Sequence, residues 1–128
     1  MIGNLIKSKA NIYLLGGFYV LAGLNHFIHP EFYYDLIPDY FLLIEEINFL
    51  SGLTEIALGL AIFNRKTRKY AAYGIVLLLL LFIPSHIYFI QIGGCVEGGL
   101  CVAPWIAWVR LLLIHPLLML WALSVRSL

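Results

Sequence analysis

Charge is scarce in this sequence. Only 12% of its 128 residues are Asp, Glu, Lys or Arg, and 62% are hydrophobic, whereas a typical soluble domain has about 25% charged residues. A soluble protein of this length could not bury so much apolar surface, so lipid is the solvent that fits the composition. The net charge of +1 creates no field that would attract nucleic acid, and we expect no nucleic-acid partner.

Cysteine is nearly absent as well. The two cysteines, Cys95 and Cys101, are too few for a disulfide scaffold, and their C-x5-C spacing matches no common zinc motif. Both lie in a glycine-rich connection at residues 93–104. In an oxidising compartment we expect a disulfide between them, with a reactive or exchanging pair as the alternative.

Long apolar runs are what the sequence has instead. Four of them lie at about residues 10–29, 46–63, 70–92 and 105–124, and each has about the 20 residues that cross a hydrocarbon core. They lack the period-2 alternation of membrane strands, whose open edges could not face lipid. The first run is too long for a signal-peptide core and lacks a small-residue cleavage site. We therefore predict an all-α, four-helix transmembrane bundle that forms a single domain over residues 1–128.

The few charges are segregated along the chain. In a four-span arrangement one side carries seven of the eight basic residues: Lys7, Lys9, Arg65, Lys66, Arg68, Lys69 and Arg126. The other side carries six of the seven acidic residues: Glu31, Asp35, Asp39, Glu45, Glu46 and Glu97. By the positive-inside rule, this predicts a multi-pass inner-membrane protein with both termini in the cytoplasm. Residues 30–45, between the first two helices, combine acids, prolines and aromatics, and are predicted to lie at the membrane interface, partly as a short helix.

Two charges, Glu55 and Arg110, remain inside the predicted spans. A charge within the bilayer costs about 2.5–3.5 kcal/mol or more, so both should face the bundle interior and seek partners. They are the obvious ion pair. Two interpretations stay open: a structural pair that sets the helix register, or the anchor of a polar pocket that opens outwards. A rise of about 1.5 Å per residue places His26, His86 and His115 in the same outer half or near the midplane, so these five residues form the predicted site.

Facing histidines in a helix bundle can hold haem or a metal ion. Here no Glu-x-x-His motif and no thiolate cluster accompany them, so haem binding is disfavoured and no metal site is predicted. His29, His86 and His115 each lie within two residues of a proline, where a histidine more often hydrogen-bonds a neighbouring helix or a freed carbonyl. Pro84 and Pro116 are predicted to kink the third and fourth helices.

Six short motifs carry a family resemblance through their order and spacing. They are AGLNHF at 22–27, HPEFY at 29–33, SGLTEIALG at 51–59, TRKYAA at 67–72, PSHIY at 84–88 and RL at 110–111. Across almost the whole chain they resemble the DoxX-like family of small bacterial membrane proteins. The glycines at 52 and 59 share a helix face with Glu55, which favours close helix packing there.

The resemblance implies a four-helix membrane protein associated with redox chemistry. The family takes its name from a subunit of a thiosulfate:quinone oxidoreductase, and some members are thought to work beside thiol-handling redox proteins. The family pattern falls on five positions of this chain: His26, Pro30, Glu55, Arg68 and Arg110. Many members have asparagine at the position of His86 and glutamine at that of His115, which implies hydrogen bonding rather than metal ligation. The Cys95–Cys101 loop is not part of the pattern.

The leading functional hypothesis is therefore a redox-associated membrane protein with an outward-facing polar pocket. It would bind a quinone headgroup or a sulfur compound, or would dock a periplasmic thiol-redox partner. The alternative is a non-enzymatic membrane module that binds a lipid-like ligand or assists assembly, with a purely structural polar cluster. The expected partners are the bilayer, a periplasmic or membrane redox protein, and a second copy of the chain.

Reporter fusions test the orientation that the segregated charges predict. A reporter that is active only outside the cytoplasm should work when fused after Gly94 and fail when fused after Arg68, because the basic connection stays inside. Immunoblots of both fusions control for expression. Activity after Arg68 with none after Gly94 would reverse the orientation.

Overall fold

The computed structural model describes residues Met1–Leu128 and is 74% helical, with no strands. Four helices are long and apolar enough to cross a membrane: Lys9–Ile28, Ile44–Phe63, Arg68–Gln91 and Pro104–Val125. We call them the first to the fourth span. Their ends agree with the predicted segments to within two residues, so the predicted four-helix, all-α architecture is confirmed.

Shorter elements connect the spans. One short helix, Ile2–Ile6, precedes the first span, and another, Pro30–Tyr34, follows it. The connection between the third and fourth spans is a tight loop in which Cys95 and Cys101 form an isolated antiparallel bridge. Gly93, Gly94 and Gly98 have φ between 75° and 83° in this loop, a conformation that other residues rarely adopt.

The third and fourth spans are both interrupted close to the prolines that were predicted to kink them. The third span consists of Arg68–Leu81 and Ile83–Gln91, and the fourth of Pro104–Val109 and His115–Val125 with a π-helical turn at Arg110–Ile114 between them. Pro84 and Pro116 lie in the first turn of the segments that they begin, where a missing N–H is tolerated. A proline or a π-helical turn interrupts the regular i→i−4 hydrogen bonding of an α-helix at such points.

The first and second spans touch through two pairs of glycines. A Cβ added to Gly23 would lie 2.6 Å from the carbonyl oxygen of Gly52, and one added to Gly59 would lie 2.8 Å from that of Gly16. These separations are too short for any side-chain carbon, so the two backbones are in direct contact, as small residues allow between membrane helices. The seven-residue spacing within each span keeps both pairs on one antiparallel seam.

The bundle differs between its two ends, which we call the basic end and the acidic end after their charges. Near the basic end, ten buried residues form the main core: Ile12, Leu15, Tyr19, Ile62, Ala71, Ala72, Ile75, Leu79, Ala122 and Val125. Asn11 ties the first span to the fourth there, since it donates to Ser124 Oγ at 3.0 Å and accepts from Trp121 Nε1 at 2.7 Å. A smaller cluster of Leu36, Phe89 and Ala107 lies at the acidic end.

The glycine seam predicts a large difference between two neighbouring substitutions. Gly59→Ala should lower the free energy of unfolding by about 1–3 kcal/mol, because the methyl group meets backbone on the facing helix. Gly17→Ala, the matched control, adds a methyl group where no heavy atom lies within 4 Å, and should be neutral or stabilising by up to about 1 kcal/mol. Unfolding of both variants in detergent measures this, and equal effects would refute the seam.

Candidate functional site

A cavity of about 540 Å³ lies between the spans towards the acidic end. Its polar lining includes all five residues that the sequence analysis selected: His26, Glu55, His86, Arg110 and His115. Each span contributes at least one of them. The remaining walls are mostly apolar and aromatic, with Phe18, Phe41 and Phe82 among them. A mostly apolar cavity of this size with a few convergent polar groups has the character of a small-molecule site.

His26, Asn48 and Glu55 form a polar ladder across the first two spans. His26 Nδ1 lies 2.7 Å from Asn48 Oδ1, and Asn48 Nδ2 donates to the His26 carbonyl oxygen at 3.0 Å. On the other side of the ring, His26 Nε2 lies 3.2 Å from Glu55 Oε2. All three residues are at most 7% exposed, so the ladder is shielded from solvent.

The prediction from sequence that Glu55 and Arg110 form a direct ion pair is wrong. The one basic side chain within 4.0 Å of the Glu55 carboxyl group is His26. Both Glu55 and Arg110 line the cavity, but their charged groups are more than 4.0 Å apart. The glycine contacts hold the first span close to the second, so His26 lies within ion-pair distance of Glu55. Arg110, on the fourth span, instead packs its guanidinium over the ring of Phe89, 4.8 Å from the ring centroid.

Asn48 determines which nitrogen of His26 faces Glu55. Because its amide nitrogen donates to the His26 carbonyl, its oxygen faces the ring, and His26 Nδ1 must donate to it. Nε2 is then left to face the carboxyl group of Glu55. The two atoms, His26 Nε2 and Glu55 Oε2, are 3.2 Å apart, which is within ion-pair distance. A close pairing of the two groups suits a site surrounded by lipid, because an intramembrane ionisable group needs a partner.

The connection between the first two spans forms a wall of the cavity. Tyr33 stacks on the His26 ring, with centroids 3.7 Å apart, and its hydroxyl accepts a hydrogen bond from Asn25 at 2.7 Å. Further along, Ser85 Oγ donates to the Leu36 carbonyl at 2.6 Å. Burial and the nearby charge of Glu55 raise the pKa of Tyr33, against the opposing effect of the Asn25 hydrogen bond. The Tyr33 phenol therefore stays neutral at physiological pH.

His86 of the third span and His115 of the fourth span contact each other in the cavity lining. Their rings are edge-to-face with centroids 4.6 Å apart. His115 Nε2 donates to the carbonyl oxygen of Leu79 in the third span, near the interruption at Pro84. His115 thus bonds a neighbouring helix, as a histidine beside a proline often does, and holds the two interrupted spans together.

Three buried polar atoms around this cavity have no hydrogen-bond partner: Tyr19 Oη, Glu55 Oε2 and Arg110 Nη1. The contact of Glu55 Oε2 with His26 is close enough for an ion pair without being aligned as a hydrogen bond. A buried polar group that lacks a partner costs about 1–3 kcal/mol. All three residues line the same cavity, which makes it the place where a ligand could supply the missing partners.

The other chemistry-bearing residues lie apart from the cavity. His29 follows the end of the first span and lines a shallow groove at the acidic end. No group of three or more His, Cys, Asp or Glu side chains could hold a metal ion. Cys95 and Cys101 are joined in a disulfide on the exposed loop, whose Val96, Leu100 and Val102 pack on the small cluster at the acidic end.

Residues 15–126 match the family described as a domain of unknown function, DUF8561. The chain belongs to the DUF8561 family. No curated protein matches the chain, and no solved structure does. The range matched by DUF8561 contains all five predicted site residues and both cysteines, and it begins after Lys7 and Lys9.

Sequence reasoning did not select Tyr19, Tyr33 or Asn48, which also line the cavity of this DUF8561 protein. A signal was present for two of them. Tyr19 lies seven residues before His26, and Asn48 seven before Glu55, so two helical turns place each on the same face as a predicted site residue. Tyr33 carries no such periodicity, because its helix has only five residues.

A double-mutant cycle tests the ladder in this DUF8561 protein. His26→Leu and Glu55→Leu should each destabilise the fold, and the double variant should lose less than the sum by about 0.5–3 kcal/mol, because each single change leaves the other group unpartnered. Reversible unfolding in mixed micelles measures the free energies. The matched cycle of Glu55→Leu with Arg110→Leu should show the smaller coupling, and a larger one there would restore the ion pair predicted from sequence.

Proposed function

We propose that this protein binds a small apolar ligand with hydrogen-bonding oxygens, and that a quinone headgroup is the favoured ligand. The observation that carries this proposal is that Tyr19, Glu55 and Arg110, each with one buried polar atom that lacks a hydrogen-bond partner, all line one largely apolar cavity. A bound ligand would relieve the cost of leaving them unpaired.

The chemistry of the three groups favours a ligand with carbonyl oxygens. Arg110 Nη1 is a donor only, and the Tyr19 hydroxyl can donate as well. Both would hydrogen-bond a carbonyl oxygen of the ligand. Glu55 Oε2 can accept from a ligand hydroxyl when the carboxyl group is ionised, and the carboxyl group can donate when it is protonated. A quinone and its reduced form present these two kinds of oxygen.

The apolar walls argue against a free sulfur anion as the ligand. Phe18, Phe41 and Phe82 line the cavity, and such rings suit stacking with a flat ligand ring. A small anion would lose its hydration among these side chains and would face the carboxyl group of Glu55, with the guanidinium of Arg110 as its main compensation. A quinone headgroup loses little hydration by comparison, and its tail can remain in the bilayer.

The His26–Glu55 pair would supply or accept a proton in this proposal. Reduction of a quinone to the quinol takes up two electrons and two protons, and a partner dithiol that is oxidised to a disulfide releases the same number of each. The acidic end, which we propose faces the periplasm by the positive-inside rule, is where such a partner would dock beside the exposed Cys95–Cys101 loop. The resemblance to DoxX-like proteins points to the same classes of ligand and partner.

A second candidate is a non-enzymatic membrane module with a structural polar cluster. Two contacts favour it. The His26–Asn48 hydrogen bonds join the first and second spans, and the bond from His115 to Leu79 joins the third and fourth. In this reading the cavity takes a lipid-like molecule without chemical change.

Ligand-induced stabilisation separates the two candidates. Decylubiquinone should raise the Tm of the detergent-solubilised protein more than an alkane or a phosphatidylcholine does. Tyr19→Phe and Arg110→Gln should each weaken its apparent affinity about tenfold, the effect of one lost hydrogen bond of about 1.4 kcal/mol.

Two matched controls lie outside the cavity. Tyr13→Phe on the lipid-facing side of the first span and Arg126→Gln at the basic end should leave the Tm shift unchanged, since both residues are exposed. Equal stabilisation of every variant, or equal stabilisation by phosphatidylcholine, would favour the non-enzymatic module. Native mass spectrometry of gently extracted protein gives an independent check for a retained ligand.

A further inference from the structure

A second pocket lies at the basic end, separate from the central cavity. It has a volume of about 480 Å³ and is lined by Lys7, Lys9, Ile12, Tyr13, Phe63, Arg65, Arg68 and Leu128. Four of the eight basic residues of the protein therefore converge on one pocket. No Asp or Glu side chain lines the pocket. None of the four basic side chains forms a salt bridge, since the one ion pair in the structure joins His26 and Glu55.

Arg68 is the fixed element of this pocket. It is only 7% exposed, and it caps the end of the second span, since Nε donates to the Ile62 carbonyl at 2.8 Å and Nη2 to the Phe63 carbonyl at 3.1 Å. A cation at a helix C-terminus is stabilised by the exposed carbonyls there. The guanidinium is thus held in place before any ligand arrives, and no Asp or Glu side chain forms a salt bridge with it.

The floor of the pocket is apolar and aromatic. The Tyr13 and Phe63 rings lie 5.9 Å apart, one turn inside Lys9 and at the last residue of the second span. The pocket therefore has cations at the level where the spans end and apolar rings just below them. This order matches the order of a phospholipid, whose phosphate lies above the glycerol and the start of the acyl chains.

We propose that this pocket binds the headgroup phosphate of an anionic phospholipid. The pocket offers concentrated positive charge, one pre-positioned guanidinium suited to phosphate oxygens, and an apolar floor whose Tyr13 ring is 64% exposed. Basic pockets at the ends of membrane helices bind anionic headgroups by these means. The proposal does not depend on what the central cavity binds.

The structure separates this site from the general positive charge of the basic end. Lys66, Lys69 and Arg126 belong to the same end by sequence, and none of them lines the pocket. A diffuse surface potential would draw on all seven basic residues alike. A built pocket would depend on Lys7, Lys9, Arg65 and Arg68, and would be insensitive to the other three.

Lipid-induced thermal stabilisation of the full-length protein in detergent tests the proposal. The probes are dioleoyl phosphatidylglycerol, dioleoyl phosphatidylcholine and inorganic phosphate, each titrated separately. The phosphatidylglycerol should raise the Tm in a saturable manner, and the other two should not. The double variant Lys7→Gln/Lys9→Gln should weaken the apparent affinity for phosphatidylglycerol at least tenfold, because each lysine near an anionic headgroup contributes to binding. Arg68 is left intact because it caps a span.

The matched control is the double variant Lys66→Gln/Lys69→Gln, which removes the same charge from the same end. It should retain the affinity of the unmodified protein to within about twofold, as expected of residues outside the pocket. Equal weakening by both double variants would show diffuse surface charge and would overturn the proposal. Equal stabilisation by phosphatidylcholine would overturn the requirement for an anionic headgroup, and equal stabilisation by inorganic phosphate would make the ligand a free anion instead of a lipid.

Discussion

The direct backbone contact between the first two spans is the constraint on which the rest of the site depends. Gly16 with Gly59, and Gly23 with Gly52, leave no room for a side chain between the helices. This contact sets both the separation and the register of the spans, and His26 therefore lies level with Asn48 and Glu55. Atoms at 2.7 and 3.2 Å cannot tolerate the shift that one intervening methyl group would impose. A packing interaction among the smallest residues thus positions the most polar ones.

The buried polar groups divide into those that hold the bundle together and those that remain available. Asn48 fixes the His26 ring, and His115 binds the backbone of the third span. Tyr19, Glu55 and Arg110 each keep one buried atom without a hydrogen bond. In a soluble protein water could satisfy such atoms, but water is scarce at this depth in a bilayer. The protein retains polar groups in the most costly place for them, and this cost is what supports the proposal of a ligand.

The two ends of the bundle have different physical characters. The basic end has the main core, built with Ala71, Ala72 and Ala122 at close contacts, and the Asn11 bonds close it from within. The acidic end contains the central cavity, which is lined by the interrupted third and fourth spans and by the connection that carries Tyr33 and Leu36. Leu36 and Phe89 belong to the same small cluster as the residues beneath the disulfide loop, and Arg110 packs over Phe89. The disulfide loop, the cavity wall and the Arg110 side chain therefore all pack on the small cluster at the acidic end.

The sequence by itself determined the number of spans, their ends, the interruptions at Pro84 and Pro116, and five of the polar residues that line the cavity. These features depend on the cost of each residue in lipid and on the backbone chemistry of proline, which are local properties. Only the tertiary structure decided that Glu55 meets His26 instead of Arg110, and that Tyr33 reaches the site from outside the spans. It also decided which four basic residues share a pocket. Such pairings depend on which helices are neighbours and in what register. Interactions between residues far apart in the chain set both, as the glycine contacts do for the first two spans.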